Sequence, residues 1–442
     1  MPEAAWRKKL EGASVHVVPG GRADHWILAG LLALAFLLRA WNFADIPFTH
    51  DEISALLRMH HDSFGALIAE GVAIDAHPAG VQVLEWLWTG VFGDGEVAVK
   101  LPFLLMSVAA LFFLYRFAAT WTNPTVALLG IAFIGTVQYT VLYGQIARPY
   151  AAGFFTCALL VDQMTRALGG RGRAWYGFAL AAALCAYTHH FALLFAGLVG
   201  LATLVLAAPR QRRKVFLAGL GALVLYAPHL TILWRQLGYA GVGQWLASPG
   251  PYWIPDLMAW TFQYSVLLAV VVLAIAIVGH AMALRKGRVQ GTFLLLCLFL
   301  FSVPLLVGFA YSVWRAPVLQ YSVLLFSFPF LIFPLFAGWD HRRGGLALGL
   351  VLVIASISVA ALVLGRRHYQ LFYTSKYEAT VDEGRAFLQR HPDGVLLAAC
   401  PPEVIAFYLE RRGIAAETLP FMDAWRKSSA EITALLEGTS AD

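Results

Sequence analysis

Long apolar runs separated by short polar loops set the pattern of this chain. Eleven runs read as membrane helices: 25–43, 98–115, 125–142, the run between Tyr150 and Arg166, 175–187, 191–208, 215–233, 257–284, 292–311, 318–338 and 346–364. A crossing helix takes about 20 apolar residues. The polar loops then fix the direction of each crossing. Basic residues collect in four of them: Arg166, Arg171 and Arg173; Arg210, Arg212, Arg213 and Lys214; Arg285, Lys286 and Arg288; Arg342 and Arg343. Positive charge stays on the cytoplasmic side, so these loops are expected there, and the runs between them pair up with their turns on the outer face. By the same rule Arg7, Lys8, Lys9 and Arg22 place the N-terminus in the cytoplasm. Counting back puts Arg148-Pro-Tyr150 outside. It leaves the run 78–92 outside too, as a juxtamembrane or re-entrant helix within one long first loop, 44–97. Inside that loop, 51–61 and 63–71 mix charges with apolar residues at helical spacing, which suits short helices lying in the interface.

Beyond Gly365 the pattern turns polar, and the C-terminus is expected on the outer face. Helices are predicted over 378–390 and 403–412, with strands over 394–400 and 415–419, the first strand following a Pro392-Asp-Gly turn. The expectation is an all-α polytopic membrane protein of about 11 transmembrane helices, residues 1–365, followed by a small α/β domain, residues 366–442. A tail of roughly 75 residues is marginal alone and is expected to dock on the membrane part.

Composition narrows the function classes. Of 442 residues 60% are hydrophobic and 13% charged, against about 25% charged in a soluble protein. The net charge of +6 is accounted for by loop residues that set orientation, so no nucleic-acid partner is expected. Cys157, Cys185 and Cys297 lie in apolar runs and Cys400 in a polar one; no pair has disulfide or zinc spacing. The run 25–43 is too long for a signal-peptide core and has no small-residue cleavage pattern, so it is expected as a retained helix. No glycine loop or nucleotide motif points to a soluble nucleotide-sugar site.

The candidate chemistry starts at Ile46-Pro-Phe-Thr-His-Asp-Glu-Ile-Ser54. Asp51 and Glu52 are adjacent carboxylates just past the first span, where charge seldom persists without a task. The plainer alternative is that Thr49 and Asp51 cap the helix that follows. The other polar residues placed on the outer face are His50, His77, His189 and His190; Arg148 and Arg315; and Tyr143, Gln145, Tyr150, Gln320 and Tyr321. This mixture suits attack on an anionic, lipid-borne electrophile: a carboxylate takes the proton of an acceptor hydroxyl while arginine and histidine neutralise a phosphate leaving group. Arginine fits phosphate because its planar fork meets two oxygens at once. Arg148 could instead snorkel to a lipid headgroup, and one of His189 and His190 is expected to be structural. Arg366 and Arg367 sit outside against the positive-inside trend and could contact lipid phosphate. His60-His61-Asp62 lacks the i, i+4 spacing of a helical metal site, so a solvated face is the better reading.

At these residues the chain resembles the membrane-embedded GT-C glycosyltransferases, in the bacterial branch similar to protein O-mannosyltransferases and lipid A aminoarabinose transferases. Three stretches carry the resemblance: the Asp51-Glu52 pair; His77-Pro-Ala-Gly80 followed by Phe92-Gly-Asp-Gly-Glu96 and Lys100-Leu-Pro102; and Gln145-Ile-Ala-Arg-Pro-Tyr150. The resemblance implies a polyprenyl-phosphate sugar donor, a lipid, glycan or protein acceptor, an inverting displacement on the periplasmic face of the bacterial inner membrane, and Asp51 as general base beside Glu52. It implies substrate contacts at His77, Tyr143, Gln145, Arg148, Tyr150, His189, His190, Arg315 and Tyr321. The chain departs from the family run at Ala79, where a second proline is usual, and at Tyr321-Ser322, where an arginine-tyrosine is common and Arg315 lies upstream. It also lacks the Asp-x-Asp or Asp-x-Glu that oligosaccharyltransferases use with a metal, so a mechanism without metal or other cofactor is expected. A lipid-linked sugar transporter would need paired, interrupted helices near mid-membrane, whereas here the polar groups gather at outer span ends. A non-catalytic subunit would not need to retain Asp51 and His77.

Overall fold

The structure is a computed structural model that describes residues 20–238, 246–287, 290–341, 345–374, 376–398, 400–415 and 421–439. It divides into two compact units, one drawn from Met1–Ala44 and Arg58–His368, the other from Asp45–Leu57 and Tyr369–Asp442. The basic residues Arg7, Lys8, Lys9, Arg288, Arg342 and Arg343 lie outside the described residues.

The first unit is helical, and every one of the eleven apolar runs carries helix. Among the described residues six helices are long and apolar enough to cross a membrane: Arg22–Asp45, Glu96–Trp121, Pro209–Leu237, Val266–Arg285, Gly291–Trp314 and Gly345–Leu371. A seventh is added if Pro124–Thr136 and Gln138–Gly144, bent by 61°, count as one span. The chain is therefore a multi-pass membrane protein, but its runs are not eleven equal crossings. Ala174–Thr188 has 15 residues and His190–Leu206 has 17; at about 1.5 Å per residue these fall short of about 30 Å of hydrocarbon. The run 318–338 is split into Tyr321–Leu324 and Pro329–Phe336, as proline at the first turn of the second piece allows. The run 78–92 forms one 14-residue helix, Ala79–Phe92.

The bend between Pro124–Thr136 and Gln138–Gly144 falls at Val137, whose backbone is extended (φ −75°, ψ 145°). Breaking a helix frees backbone groups, and an apolar surrounding cannot satisfy them. Here side chains distant in sequence do so. Arg39 Nη1 donates to the Gly135 carbonyl at 3.0 Å, and the Gln138 amide donates to Gln263 Oε1 at 3.0 Å. Arg39 Nη2 also donates to Thr140 Oγ1 at 3.1 Å. Thr140, three residues on, also donates its hydroxyl back to the Ile134 carbonyl, while Arg39 and Gln263 reach the break from 96 and 125 positions away.

Packing elsewhere follows close helix approach at glycine. Gly338 lies against the backbone of Gly279, and an added Cβ there would fall 2.4 Å from the Gly279 carbonyl carbon. The aromatic core around Phe117 is shared by Phe293, Phe330 and Phe333. Asp162, 2% exposed, is neutralised by Arg116 at 3.2 Å and by Arg166 at 3.9 Å.

The second unit contains His50–Leu57, Lys376–Arg390, Leu396–Ala398, Pro402–Arg411, Phe421–Asp423 and Ser429–Thr439. Its two strands pair in parallel, Leu396 opposite Phe421 and Ala398 opposite Asp423. The helix Pro402–Arg411 lies between them in sequence and supplies the crossover that a parallel pair requires. The helices predicted over 378–390 and 403–412 and the first strand fall on these elements; the strand predicted over 415–419 lies outside the described residues except for Ala415, and the second strand is Phe421–Asp423. Phe48, 2% exposed, meets Phe407 edge-on at 6.0 Å and lies under the Arg411 guanidinium at 5.1 Å. The stretch that carries Asp51 thus shares an apolar core with the C-terminal residues.

Gly338→Ala should destabilise the fold by about 1 to 3 kcal/mol, since the clash is with backbone and not with a yielding side chain. Thermal unfolding in detergent should show a lower midpoint for Gly338→Ala. Gly349→Ala, whose Cβ would meet nothing within 4 Å, should match the parent; equal midpoints for both variants would remove close packing as the reason for the glycine.

Candidate functional site

The segment Ala73-Ile-Asp-Ala-His-Pro78 runs into the helix Ala79–Phe92, and side chains from later helices capture its backbone. Gln236 Nε2 donates to the carbonyls of His77 at 2.6 Å and Asp75 at 3.0 Å. His190 Nε2 lies 3.1 Å from the Ala76 carbonyl. The Ala79 amide donates to His229 Nε2 at 3.0 Å, while His229 Nδ1 is 3.2 Å from the Tyr226 hydroxyl. Pro78, at φ −61°, precedes the helix without needing a donor partner. Three helices therefore hold a segment that has no regular structure of its own.

This frame displays a line of charged and titratable groups. Asp75 Oδ1 accepts from the Ala76 amide at 2.7 Å and lies 3.3 Å from His77 Nδ1, while Oδ2 pairs with Arg58 Nη2 at 3.3 Å. On the other side of His77, Arg148 Nη2 lies 3.2 Å from the same Nδ1. Burial pushes the Asp75 carboxyl up. The hydrogen bond from His77 and the positive charges of His77, Arg58 and Arg148 outweigh burial and hold it well below the usual carboxylate range.

Two features of this line matter chemically. First, one imidazole nitrogen cannot donate to Asp75 and accept from Arg148 at the same time. When Nδ1 carries the proton it serves Asp75, and Arg148 Nη2 is released to another acceptor; when Nδ1 is bare it accepts from Arg148. Second, Arg148 is only 7% exposed, its Nε has no hydrogen-bond partner, and it forms no ion pair among the described residues. A buried guanidinium without a carboxylate is costly and is a ready partner for an incoming anion.

The remaining predicted residues divide. His77 and Arg148 are brought together as above. His189 packs edge-on to His77 at 5.7 Å, is 8% exposed, and accepts from the Phe191 amide at 3.0 Å as the cap of its helix. His190 holds the Ala76 carbonyl, and its Nδ1 is buried without a partner among the described residues. Both histidines thus have local structural work while bordering the line. Gln145 is fully buried in another network, donating to the Arg39 carbonyl at 2.9 Å and meeting His368 Nε2 at 2.9 Å. Tyr143 packs on Tyr150 at 4.8 Å, and the Tyr321 ring packs on Trp253 at 5.1 Å. Ser322 donates to Gln320 Oε1 at 3.2 Å, and Arg315 is exposed just past Gly291–Trp314.

Asp51 and Glu52 belong to the second unit and differ from each other. Glu52, 1% exposed, closes a reciprocal capping box: its Oε2 accepts from the Thr49 amide at 2.7 Å and the Thr49 hydroxyl at 2.9 Å, and its own amide donates to Thr49 Oγ1 at 3.3 Å. Thr49 is the capping residue. The Asp51 side chain is 63% exposed with His50 Nδ1 at 3.7 Å. Among the described residues no three His, Cys, Asp or Glu side chains converge in the way a metal would need.

Asp75, Arg58, Gln236 and His229 were not singled out by sequence pattern. Asp75 had a usable signal, because it stands two positions before His77 in the family-like segment. Arg58 and Gln236 had none, since they reach Asp75 and its carbonyl from 17 and 161 positions away.

Residues 76–232 match the family described as dolichyl-phosphate-mannose-protein mannosyltransferase. That span includes His77, Arg148, His189 and His190. No curated protein sequence matches the chain. The fold is similar to the crystal structure of ArnT from Cupriavidus metallidurans in the apo state, with a TM-score of 0.56 at 13% identity over 95% of this chain and 89% of the other. Against the same protein bound to undecaprenyl phosphate the TM-score is 0.55 at 12% identity, over 94% and 89%. The chain accordingly has the GT-C fold anticipated from its motifs.

Asp75 offers a pH test with a defined sign. A carboxylate whose folded pKa is depressed adds stability that is fully present above its unfolded value of about 3.9 and is lost as pH falls through the folded value. Asp75→Asn should therefore lower the unfolding midpoint by a constant amount between about pH 5 and 7, with the difference from the parent shrinking below about pH 4. Scanning fluorimetry across that range checks it; a variant as stable as the parent at neutral pH would show that the Asp75 charge is not used.

Proposed function

We propose that the chain is a membrane glycosyltransferase that moves a sugar from a polyprenyl-phosphate-linked donor to a hydroxyl of a lipid, glycan or protein acceptor, on the periplasmic face and with inversion. The observation that carries the reading is Arg148: a 7% exposed guanidinium that, among the described residues, has an unpartnered Nε and a histidine on its fork. A polyprenyl-phosphate donor supplies what that group lacks, an anion whose charge grows on the departing oxygen as the glycosidic bond breaks. Two likenesses support the choice of donor: the family match that includes Arg148, and the similar fold crystallised with undecaprenyl phosphate.

In this reading Arg148 takes the donor phosphate, and His77 responds. When phosphate oxygen replaces Nδ1 as the acceptor for Nη2, His77 can turn a protonated Nδ1 to Asp75. Asp75 positions the ring, and its low pKa makes it a poor proton acceptor. The acceptor proton goes instead to Asp51, the more exposed of the adjacent pair, whose neighbour Glu52 is used to cap the helix. The N-terminus is assigned to the cytoplasm and the C-terminal residues to the periplasm. A transporter would favour interrupted helices, and one bent pair is present. Its break is engaged by Arg39 and Gln263, so a transported ion or sugar is not needed to stabilise it.

Two substitutions test the roles separately, using purified protein in detergent and a panel of undecaprenyl-phosphate sugars. Arg148→Ala should lower kcat/KM for the donor at least about tenfold, equivalent to about 1.4 kcal/mol, with Arg148→Lys recovering part because it restores charge without the fork. Unchanged kinetics in Arg148→Ala would remove it from the donor site.

Asp51→Asn should reduce turnover by about 10²- to 10⁴-fold and leave donor affinity in place. Near-normal turnover would reassign the base.

A further inference from the structure

A second arginine is held ready for an anion at a different place in the membrane unit. Arg366 follows the short π-helical turn Ala361–Gly365. Its guanidinium carbon lies 5.2 Å from the Trp260 ring centroid and 4.8 Å from that of Tyr264, and its Nε donates to Gln138 Oε1 at 2.6 Å. The two rings stand 6.4 Å apart at 66°, forming a corner. Stacking fixes a guanidinium through its charge without using its in-plane donors, and Gln138 takes only Nε. The edge formed by Nη1 and Nη2, the one that matches two oxygens of a phosphate, has no acidic partner among the described residues.

The surroundings are built to keep that edge in place. Gln138 is itself fixed: its Nε2 lies 3.3 Å from His368 Nδ1, and its amide donates to Gln263. Gln263 in turn donates to the carbonyl and hydroxyl of Ser358, both at 3.0 Å. Strain gathers at the same place. Gln263 (φ 58°), Tyr264 (φ 56°) and Arg367 (φ 49°) are three of the five non-glycine residues with positive φ among the described residues. Bulky side chains in that backbone region are held only where the surroundings compel them. These constraints aim one half-buried cation, and among the described residues no carboxylate receives it.

We propose that Arg366, set in the corner of Trp260 and Tyr264, is a second anion-binding site that takes a phosphate group from a lipid headgroup or from free phosphate. It is distinct from the Arg148 position and does not depend on the chain transferring a sugar. The full chain is purified in dodecyl maltoside, which carries no phosphate, and titrated by calorimetry in an Arg148→Gln background so that the other arginine cannot contribute. The probes are dodecyl phosphate and inorganic phosphate. Arg148→Gln should bind dodecyl phosphate, and adding Arg366→Gln should weaken it about tenfold or more. Adding Arg366→Lys keeps the cation on the rings and with it the local fold, yet should still weaken binding about fivefold because the fork is lost. Equal binding of inorganic phosphate identifies free phosphate as the occupant, and binding of the amphiphile alone identifies a lipid headgroup. Failure of both probes to bind the Arg148→Gln protein, or affinities unchanged by both Arg366 substitutions, would overturn the site.

Discussion

A helix that turns by 61° within an apolar bundle exposes carbonyl and amide groups that lipid cannot satisfy, and each would cost several kcal/mol if left unpaired. The membrane unit is organised around meeting that demand at Val137. Arg39 and Gln263 reach it from other helices and take Gly135 O and the Gln138 amide. Once those bonds are made, the chain after the bend has a fixed direction. Gln138, Gln145 and Arg148 follow within eleven residues: Gln138 and Gln145 both reach His368, Gln138 also takes Arg366, and Arg148 reaches His77. Gln263, which takes the freed Gln138 amide, thereby also steadies the Gln138 side chain that receives Arg366. Arg39 is fully buried, a placement that membrane energetics permits only when backbone carbonyls or other polar groups receive the charge.

Much of the architecture could be read from hydrophobic pattern, and the reasons it could are local. Each apolar run is helix because its own residues are apolar and its backbone must pair within the segment. The helices and first strand of the C-terminal unit were marked by their own turn and breaker residues. What could not be read was non-local. The bend at Val137 depends on Arg39 and Gln263, and the run 318–338 is interrupted at 325–328, just before Pro329, while Pro334 sits inside the helix that follows. The direction of each crossing was read from the basic loops, which say nothing of helix length, and Ala174–Thr188 shows that an apolar run can form a helix of only 15 residues.

The candidate site shows the same division. His77 and Arg148 were legible because motif order placed them in one constellation, and the structure puts them 3.2 Å apart. Gln145 shares a motif with Arg148 but is turned the other way, into the Arg39 and His368 network. Three residues of separation in a turn, unlike three in a helix, do not put side chains on one face. Glu52 looked like half of a catalytic pair; its spacing of three from Thr49 is also the spacing of a capping box, and that is how its Oε2 is used. Adjacent identical charges thus received different tasks from a one-residue difference in helical phase.

The unequal treatment of charge is the reason Arg148, rather than Arg58, is proposed as the group that meets the donor. Both approach the Asp75–His77 segment. Arg58 is paired directly with the Asp75 carboxylate at 3.3 Å, so an anion arriving there would have to displace a charge already neutralised. Among the described residues the Arg148 fork hydrogen-bonds to an imidazole, whose Nδ1 has Asp75 as an alternative partner. An anion at Arg148 therefore displaces no direct ion pair among the described residues, because His77, once its ring proton has moved from Nε2 to Nδ1, can donate to Asp75 as Arg148 turns away. The low pKa of Asp75 favours that transfer, since its carboxylate stays ionised and able to accept. The segment is kept from following Arg148 by Gln236, His190 and His229, which hold its peptide groups rather than its side chains. The hydrogen bonds at His77 Nδ1 can thus exchange while the frame stays fixed, a requirement for any site that must bind an anion and release it within one cycle.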